Sequence, residues 1–80
     1  MSMNGSMETA QEHAIEIVVN GAPRQVPGGL FLDKLLAHLN VDPSRVAVER
    51  NRVIARKADW AATEVQAGDQ LEIVWFVGGG

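Results

Sequence analysis

Residues 68–80 read GDQLEIVWFVGGG and close the chain with three glycines. The Gly68-Asp69 pair is typical of a turn, and the residues after it alternate between apolar and polar with the period of a β-strand, which we place at Gln70–Val77. The alternation predicts that Leu71, Ile73 and part of Trp75 form a buried face. Val74 and Phe76 then lie on the opposite face. The predicted last strand therefore runs directly into a glycine tail.

Two further strands are predicted near the beginning of the chain. Alternating apolar residues predict a strand at Ala14–Val19, and the Asn20-Gly21 pair readily takes the positive φ angles of a tight hairpin turn. The returning strand is expected at Arg24–Pro27. Because proline has no N–H to donate, Pro23 and Pro27 place this strand at the edge of the sheet.

An amphipathic helix follows the Gly28-Gly29 break. Its apolar positions recur at the spacing of one helical face and are expected in the core: Leu32, Leu35, Leu36 and Leu39. The helix should end near Leu39, since Asn40 tolerates a left-handed conformation and Pro43 forbids continuation. Phe31 stands near its start, where no Ser or Thr is available as a cap.

The segment between the helix and Gly68 supplies two more strands. We predict these at Arg45–Arg50, with one buried face, and at Val53–Ala55, beyond a turn at Asn51-Arg52. Residues 57–67 should cross the molecule with a helical turn near Trp60, whose large side chain is expected in the core. The order ββαβββ predicts an α+β fold in which a mixed sheet packs on one α-helix.

Size and composition narrow the possible functions. Eighty residues form one small domain with little room for a catalytic cleft, so an enzyme is disfavoured. The net charge of −3 and the dispersed arginines disfavour nucleic acid as a partner, and no apolar run is long enough to cross a membrane. The chain has no cysteine, and His13 and His38 have no companion ligands at a suitable spacing, so no metal site is predicted.

The domain bounds follow from these assignments. We expect residues 1–13 to be a disordered N-terminal extension, residues 14–77 to be the folded domain and residues 78–80 to be a flexible tail. The N-terminal residues lack the basic and apolar regions of a secretory signal, so a cytoplasmic location is expected.

The glycine tail has an ordinary interpretation and a chemical one. Glycines at a chain end are often simply frayed. A chain without Cβ atoms can also lie in a channel too narrow for other residues and present its terminal carboxylate to an enzyme-bound nucleotide. ATP would convert that carboxylate into an acyl-adenylate, from which a sulfur nucleophile could displace AMP.

Several segments together resemble one known family. Residues 68–80, the strand Val46-Ala47-Val48-Glu49-Arg50-Asn51, and Arg56 followed by Trp60 are similar to the corresponding segments of the ThiS family of sulfur carriers in thiamin biosynthesis. The similarity spans about residues 15–80. It implies the β-grasp fold of ubiquitin-like proteins, for which the predicted element order is suitable.

The resemblance also implies a function. The Gly80 carboxylate would be adenylated by an E1-like enzyme that uses Mg-ATP and then converted to a thiocarboxylate with sulfur from a cysteine desulfurase. Thiazole synthase would receive that sulfur, and the chain itself would bind no cofactor. Gly78 and Gly79 would form the thread into the partner's active site. Independently of the resemblance, the apolar residues on the second face of the last strand and beside the tail, Val74, Phe76 and Val77, are expected to contact the partner.

Three alternatives remain open from the sequence. The small subunit of molybdopterin synthase shares the fold and the terminal Gly-Gly, but its tail usually carries a Pro-Pro pair where this chain has residues 74–77. A ubiquitin-like modifier would instead be conjugated to lysines of target proteins. A non-covalent β-grasp binding module would leave the glycines passive.

Overall fold

The computed structural model describes residues 13–77. The glycines at 78–80 lie outside the described residues, as do residues 1–12 of the predicted N-terminal extension, so the predicted domain bounds stay predictions. His13, which we had assigned to that extension, is described, and its carbonyl accepts a 2.5 Å hydrogen bond from the Gly28 N–H.

The described chain contains five strands and one α-helix in the predicted order ββαβββ. The elements are β1 (Ala14–Val19), β2 (Ala22–Pro27), α1 (Leu32–His38), β3 (Val46–Arg50), β4 (Val53–Ala55) and β5 (Gln70–Trp75). Two short 3₁₀ segments, Pro43–Arg45 and Lys57–Ala62, lie before β3 and after β4.

The five strands form one mixed sheet in the order β2-β1-β5-β3-β4. β1 and β5 are parallel, whereas the other neighbouring pairs are antiparallel. The last strand of the chain is therefore the central strand of the sheet. Any segment that follows β5 is attached to a strand that has a neighbouring strand on both sides.

The hairpin between β1 and β2 has the turn that its sequence predicts. Asn20 and Gly21 both have positive φ angles, of 51° and 83°, as a two-residue type I′ turn requires. Because the turn uses only these two residues, pairing resumes at Ala22. The predicted start of β2 at Arg24 is therefore wrong, although its place at the sheet edge is confirmed.

The helix ends through backbone hydrogen bonds around Asn40. This residue has a φ of 61°, and the N–H groups of Asn40 and Val41 donate to the carbonyls of Ala37 and Leu36 at 3.0 and 2.9 Å. These are the two bonds of a Schellman motif, so the predicted helix end is confirmed. At the other end Phe31 is the N-cap and makes no side-chain capping bond.

The core lies between α1 and one face of the sheet. Its buried side chains come from all the strands except β4, from the helix, and from the crossing segment: Ile17, Val19, Val26, Leu32, Leu35, Leu36, Val46, Val48, Trp60, Val65, Leu71 and Ile73. Leu39 packs on this cluster from the side. The predicted core positions of the helix and of Trp60 are confirmed.

Besides the start of β2, two further strand ends differ from the sequence assignment. β3 begins at Val46 because Arg45 belongs to the preceding 3₁₀ segment. β5 ends at Trp75, whereas the sequence pattern predicts an end at Val77. The Phe76 N–H still donates to the Arg45 carbonyl at 2.9 Å, so backbone hydrogen bonding continues for one residue beyond the strand.

Candidate functional site

The tail root, which we define as Trp75, Phe76 and Val77, leaves the domain from the end of the central strand. The hydrogen bond from Phe76 to Arg45 attaches it to the sheet, and one residue later Val77 is 95% exposed. The predicted thread and reactive carboxylate, Gly78, Gly79 and Gly80, lie outside the described residues. Their roles stay predictions, but the structure shows that the chain reaches them from a firmly attached, accessible position.

The sheet face opposite α1 carries an apolar surface beside the tail root. We call this surface the outer patch; it consists of Ala47, Ile54, Val74 and Phe76. Val74 lies directly opposite Ala47 on β3, and Ile54 lies opposite Glu49. All four residues are exposed, with Ile54 at 70%, Phe76 at 61% and Val74 at 57%. Exposed apolar residues that lie together are typical of interaction sites.

The predicted division of the last strand is confirmed. Leu71 and Ile73 are buried, Val74 and Phe76 are exposed on the other face, and Trp75 is 49% exposed on the side of the helix. That Val74, Phe76 and Val77 contact a partner stays a prediction. Sequence reasoning missed Ala47 and Ile54, although the alternation in β3 and the apolar pair Val53-Ile54 in a short strand were signals for them.

A side chain from the first hairpin supports β5 next to the tail root. The Asn20 Oδ1 accepts a 2.7 Å hydrogen bond from the Ile73 N–H, and its Nδ2 donates to the Ile73 carbonyl at 3.1 Å. The Asn20 N–H donates in turn to the Leu71 carbonyl at 2.9 Å. The carboxamide thus continues the ladder between β1 and β5 beyond the last residue of β1.

The beginning of β5 is fixed by the buried carboxylate of Asp69. This group accepts hydrogen bonds from Arg50 Nε at 2.7 Å, from the Gln66 N–H at 2.8 Å and from Asn51 Nδ2 at 3.1 Å. Burial alone would raise the pKa of Asp69, but the donors of Gln66, Arg50 and Asn51 outweigh it and hold the pKa below its ordinary value. Asp69 is therefore an ionised carboxylate that joins three segments.

This cluster brings together two of the segments on which the family resemblance rests. Arg50 and Asn51 end the Val46–Asn51 segment, and Asp69 belongs to the turn before β5. The structure brings the three side chains into direct contact, and Asn51 Oδ1 also accepts from the Gln70 N–H at 2.9 Å. These residues position the strand that carries the tail.

Residues 13–77 contain neither a cluster of metal-ligating side chains nor a helix that could cross a membrane. Within this range no three metal-ligating side chains of His, Cys, Asp or Glu lie close enough together to hold an ion. Of the helices in the same range, none has the length and apolar character needed to cross a membrane. His38, which the sequence places on the outside of the helix, is exposed.

A five-stranded mixed sheet on one helix, with a tail leaving its central strand, defines a small β-grasp protein of the ubiquitin-like class. A crystal structure of the thiamine biosynthesis protein ThiS from Geobacter metallireducens superposes with a TM-score of 0.73 and 35% sequence identity. The match covers 82% of this chain and 100% of that one, which confirms the fold expected from the resemblance.

The model of the ThiS family matches residues 17–80, and the chain belongs to this family. Among curated proteins it is similar to the thiazole synthases of Paramagnetospirillum magneticum and Magnetococcus marinus, with 44% and 39% identity over 66 residues. Each match covers 82% of this chain, which spans only about a fifth (20%) of the length of these relatives.

Proposed function

We propose that this chain is a sulfur carrier of thiamin biosynthesis that acts through the carboxylate of Gly80. An E1-like enzyme adenylates this carboxylate with Mg-ATP, and the resulting acyl-adenylate is converted to a thiocarboxylate that supplies sulfur to a thiazole synthase. The chain is a protein co-substrate, and its partner enzymes perform the catalysis. The carrying observation is that the family match extends to residue 80, so it includes the whole glycine tail.

The proposed steps balance with ATP and a sulfur nucleophile as co-reactants. A carboxylate oxygen of Gly80 attacks the α-phosphorus of ATP, and pyrophosphate leaves. A hydrosulfide equivalent then attacks the acyl carbon, the bond to the AMP oxygen breaks, and AMP leaves. One oxygen of the carboxylate has been replaced by sulfur, with no net oxidation of the carrier. In the cell we propose that a cysteine desulfurase supplies this sulfur as a persulfide. Its terminal sulfur displaces AMP to form an acyl disulfide, and a thiol then cleaves the S–S bond, which releases the thiocarboxylate and leaves a disulfide. We place the chain in the cytoplasm, where ATP is available.

The described geometry is suitable for presenting such a tail. Within residues 13–77, Phe76 is the last residue with a backbone hydrogen bond to the domain, and Val77 is almost fully exposed. The tail therefore begins at a fixed and accessible point of the domain. Glycines allow close approach of the partner's walls, because they carry no Cβ.

The curated relatives support the choice of thiazole synthase as the acceptor. Two proteins named thiazole synthase contain a segment similar to this chain, and that segment accounts for 20% of their length. A carrier-like segment is thus covalently joined to the rest of a thiazole synthase in those proteins. Joining raises the effective concentration of a domain near its partner, which is useful only if the two cooperate.

The proposal is tested by weighing the intact protein after reaction. The full chain is incubated with an E1-like adenylating enzyme, Mg-ATP and sulfide, and we expect a mass gain equal to the exchange of one oxygen for sulfur. The matched control is the same chain with its terminal carboxylate converted to an amide, which should show no gain. Failure of the native chain to gain mass, or an equal gain by the amide, would contradict the proposal.

A further inference from the structure

The two sides of β5 differ in how its backbone groups are paired near the tail root. The bonds from Phe76 to Arg45 and from Asn51 to Gln70 show that the even-numbered residues of this strand direct their N–H and C=O groups toward β3. Leu71 and Ile73 direct theirs to the other side, toward β1 and Asn20. By the same alternation, the N–H and C=O of Trp75 point to the β1 side.

Nothing in residues 13–77 pairs with Trp75 on that side. β1 ends at Val19 and its partner register with β5 ends at Leu71, after which the chain turns away at Asn20-Gly21. The Asn20 side chain occupies the position opposite Ile73. The next position, opposite Trp75, is unoccupied within the described chain. Among residues 13–77, Trp75 therefore presents a short free edge in the middle of the sheet, with one donor and one acceptor.

A groove of about 270 Å³ lies along this free edge on the helix side. Its floor and walls include Val19 and Ile73 from the sheet, Leu39 and Val41 from the end of α1, and the Trp75 ring. Arg24 of β2 lines the rim, and it is the one charged residue in the lining. Asn20 and Asn40 complete the lining, so the groove is mostly apolar and carries a positive charge at one side.

We propose that an extended segment of the adenylating enzyme adds to β5 at Trp75 as a further strand, in the position that β1 leaves open. This inference rests on the proposed function. Trp75 lies only a few residues before the tail, so the enzyme that encloses the tail also covers this edge. Covering it without pairing would leave a backbone donor and acceptor without hydrogen bonds, at a cost in free energy.

The geometry specifies the character of the incoming strand. Its side chains alternate between the two faces of the sheet. A side chain on the helix side enters the groove between Leu39 and Val41 and is apolar, and an acidic residue follows where the chain passes Arg24. A side chain on the opposite face extends the outer patch next to Phe76. This strand addition is a known mode of recognition, in which backbone bonds supply affinity and alternate pockets supply specificity.

The first test removes the Trp75 N–H without altering the paired side of β5. Trp75→Pro and Trp75→Ala both lack the indole ring, and only the proline lacks the donor; its ring points to the open side, as in an edge strand. We expect Trp75→Pro to raise the KM for the carrier in ATP–pyrophosphate exchange about tenfold relative to Trp75→Ala. Equal KM values for two folded variants would overturn the inference.

The second test uses the unaltered chain and does not depend on the folding of a variant. Amide hydrogen exchange is measured by NMR for the free chain and for its complex with the adenylating enzyme. The Trp75 amide should exchange fast when free and at least tenfold more slowly in the complex, whereas the Val74 amide, paired with Ala47, is slow in both. A Trp75 amide that exchanges slowly in the free chain, or equally fast in both states, would overturn the inference.

The two proposals fail in different ways. If the native chain is never adenylated, the proposed function is wrong, and this inference falls with it. If the native chain is adenylated while Trp75 stays unprotected in the complex, only the strand addition is wrong.

Discussion

Asn20, Asn51 and Trp60 each use a side chain to satisfy a backbone group that no strand reaches. Asn20 bonds both backbone groups of Ile73, and Asn51 accepts from the Gln70 N–H. The Trp60 Nε1–H donates to the Ala55 carbonyl at 2.8 Å while the ring fills the core. In so small a domain such single contacts are a large share of the total stability, because the net free energy of folding is itself small.

Replacing Trp60 by Phe should separate the packing of this residue from its hydrogen bond. Phe retains most of the apolar ring but leaves the Ala55 carbonyl without its donor, so we expect a loss of about 1–3 kcal/mol in the free energy of unfolding. Trp60→Ala, which also creates a cavity, should lose about 3–5 kcal/mol. Urea unfolding followed by far-ultraviolet circular dichroism measures both. A Trp60→Phe variant as stable as the native chain would contradict a role for the indole N–H.

At the scale of elements, the position of β5 depends on a turn that lies far away in sequence. Asn51 and Arg52 both have positive φ angles, 53° and 72°, and form the hairpin turn between β3 and β4. Through Arg50 and Asn51 this hairpin holds the carboxylate of Asp69, which in turn fixes the first residue of β5. The cluster therefore couples the order of the β3-β4 hairpin to that of the strand that carries the tail.

This coupling predicts a dependence of stability on pH. The pKa of Asp69 is lower in the folded chain than its ordinary value of 3.8, so at acidic pH the unfolded chain binds more protons. The contribution of Asp69 is therefore complete above the ordinary value and is lost as the pH falls through the lower, folded pKa. We expect the free energy of unfolding, measured in urea between about pH 6 and pH 2, to decrease over that acidic range.

Asp69→Asn is the matched control for this measurement. It should be less stable near neutral pH by about 1–3 kcal/mol and should show a shallower decrease in acid. Asp42, whose pKa is lowered mainly by the Ser44 N–H, is present in both proteins, so the difference between the two curves isolates Asp69. Parallel curves for the two proteins would show that Asp69 does not contribute to the pH dependence.

At the scale of the whole molecule, the sheet as described over residues 13–77 has one covered face and one exposed face. The helix and the crossing segment cover the first, whereas the outer patch occupies the second next to the tail root. A partner that binds the tail can contact the outer patch at the same time. Recognition of the domain and delivery of the tail would then be one binding event.

A pair of neighbouring residues in β4 tests the role of the outer patch. Ile54 and Val53 are similarly exposed, at 70% and 67%, but successive residues of a strand point to opposite faces. We expect Ile54→Asp to weaken binding of the adenylating enzyme by about tenfold or more, because it places a charge in an apolar contact. Val53→Asp should leave the affinity within about twofold, since Val53 faces away from the patch.

Isothermal titration calorimetry with both variants measures the two affinities. The melting temperatures should be close to that of the native chain, since neither side chain is buried. Equal affinities for the two variants would refute the outer patch as the enzyme-binding surface.

Much of this fold was predictable because its signals are local. The period of two in β1, β3 and β5, the leucine spacing of α1 and the Asn-Gly turn each report on neighbouring residues, and the structure confirms them. Errors were confined to strand ends such as Ala22 and Trp75, where pairing depends on a partner strand that the local sequence does not show. Of the candidate site, Val74 and Phe76 were placed on the correct face for the same local reason.

By itself the sequence determined the order of elements, the division of side chains between the core and the surface, and the membership of a family defined by short motifs and a glycine tail. Only the tertiary structure decided which distant residues meet. It placed Ile54 on the same face as Val74, joined Asp69 to Arg50, and left one side of Trp75 without a partner from the described part of the chain. These contacts depend on strand order and register, which are set by the packing of the whole sheet on its helix and are not encoded in any one segment.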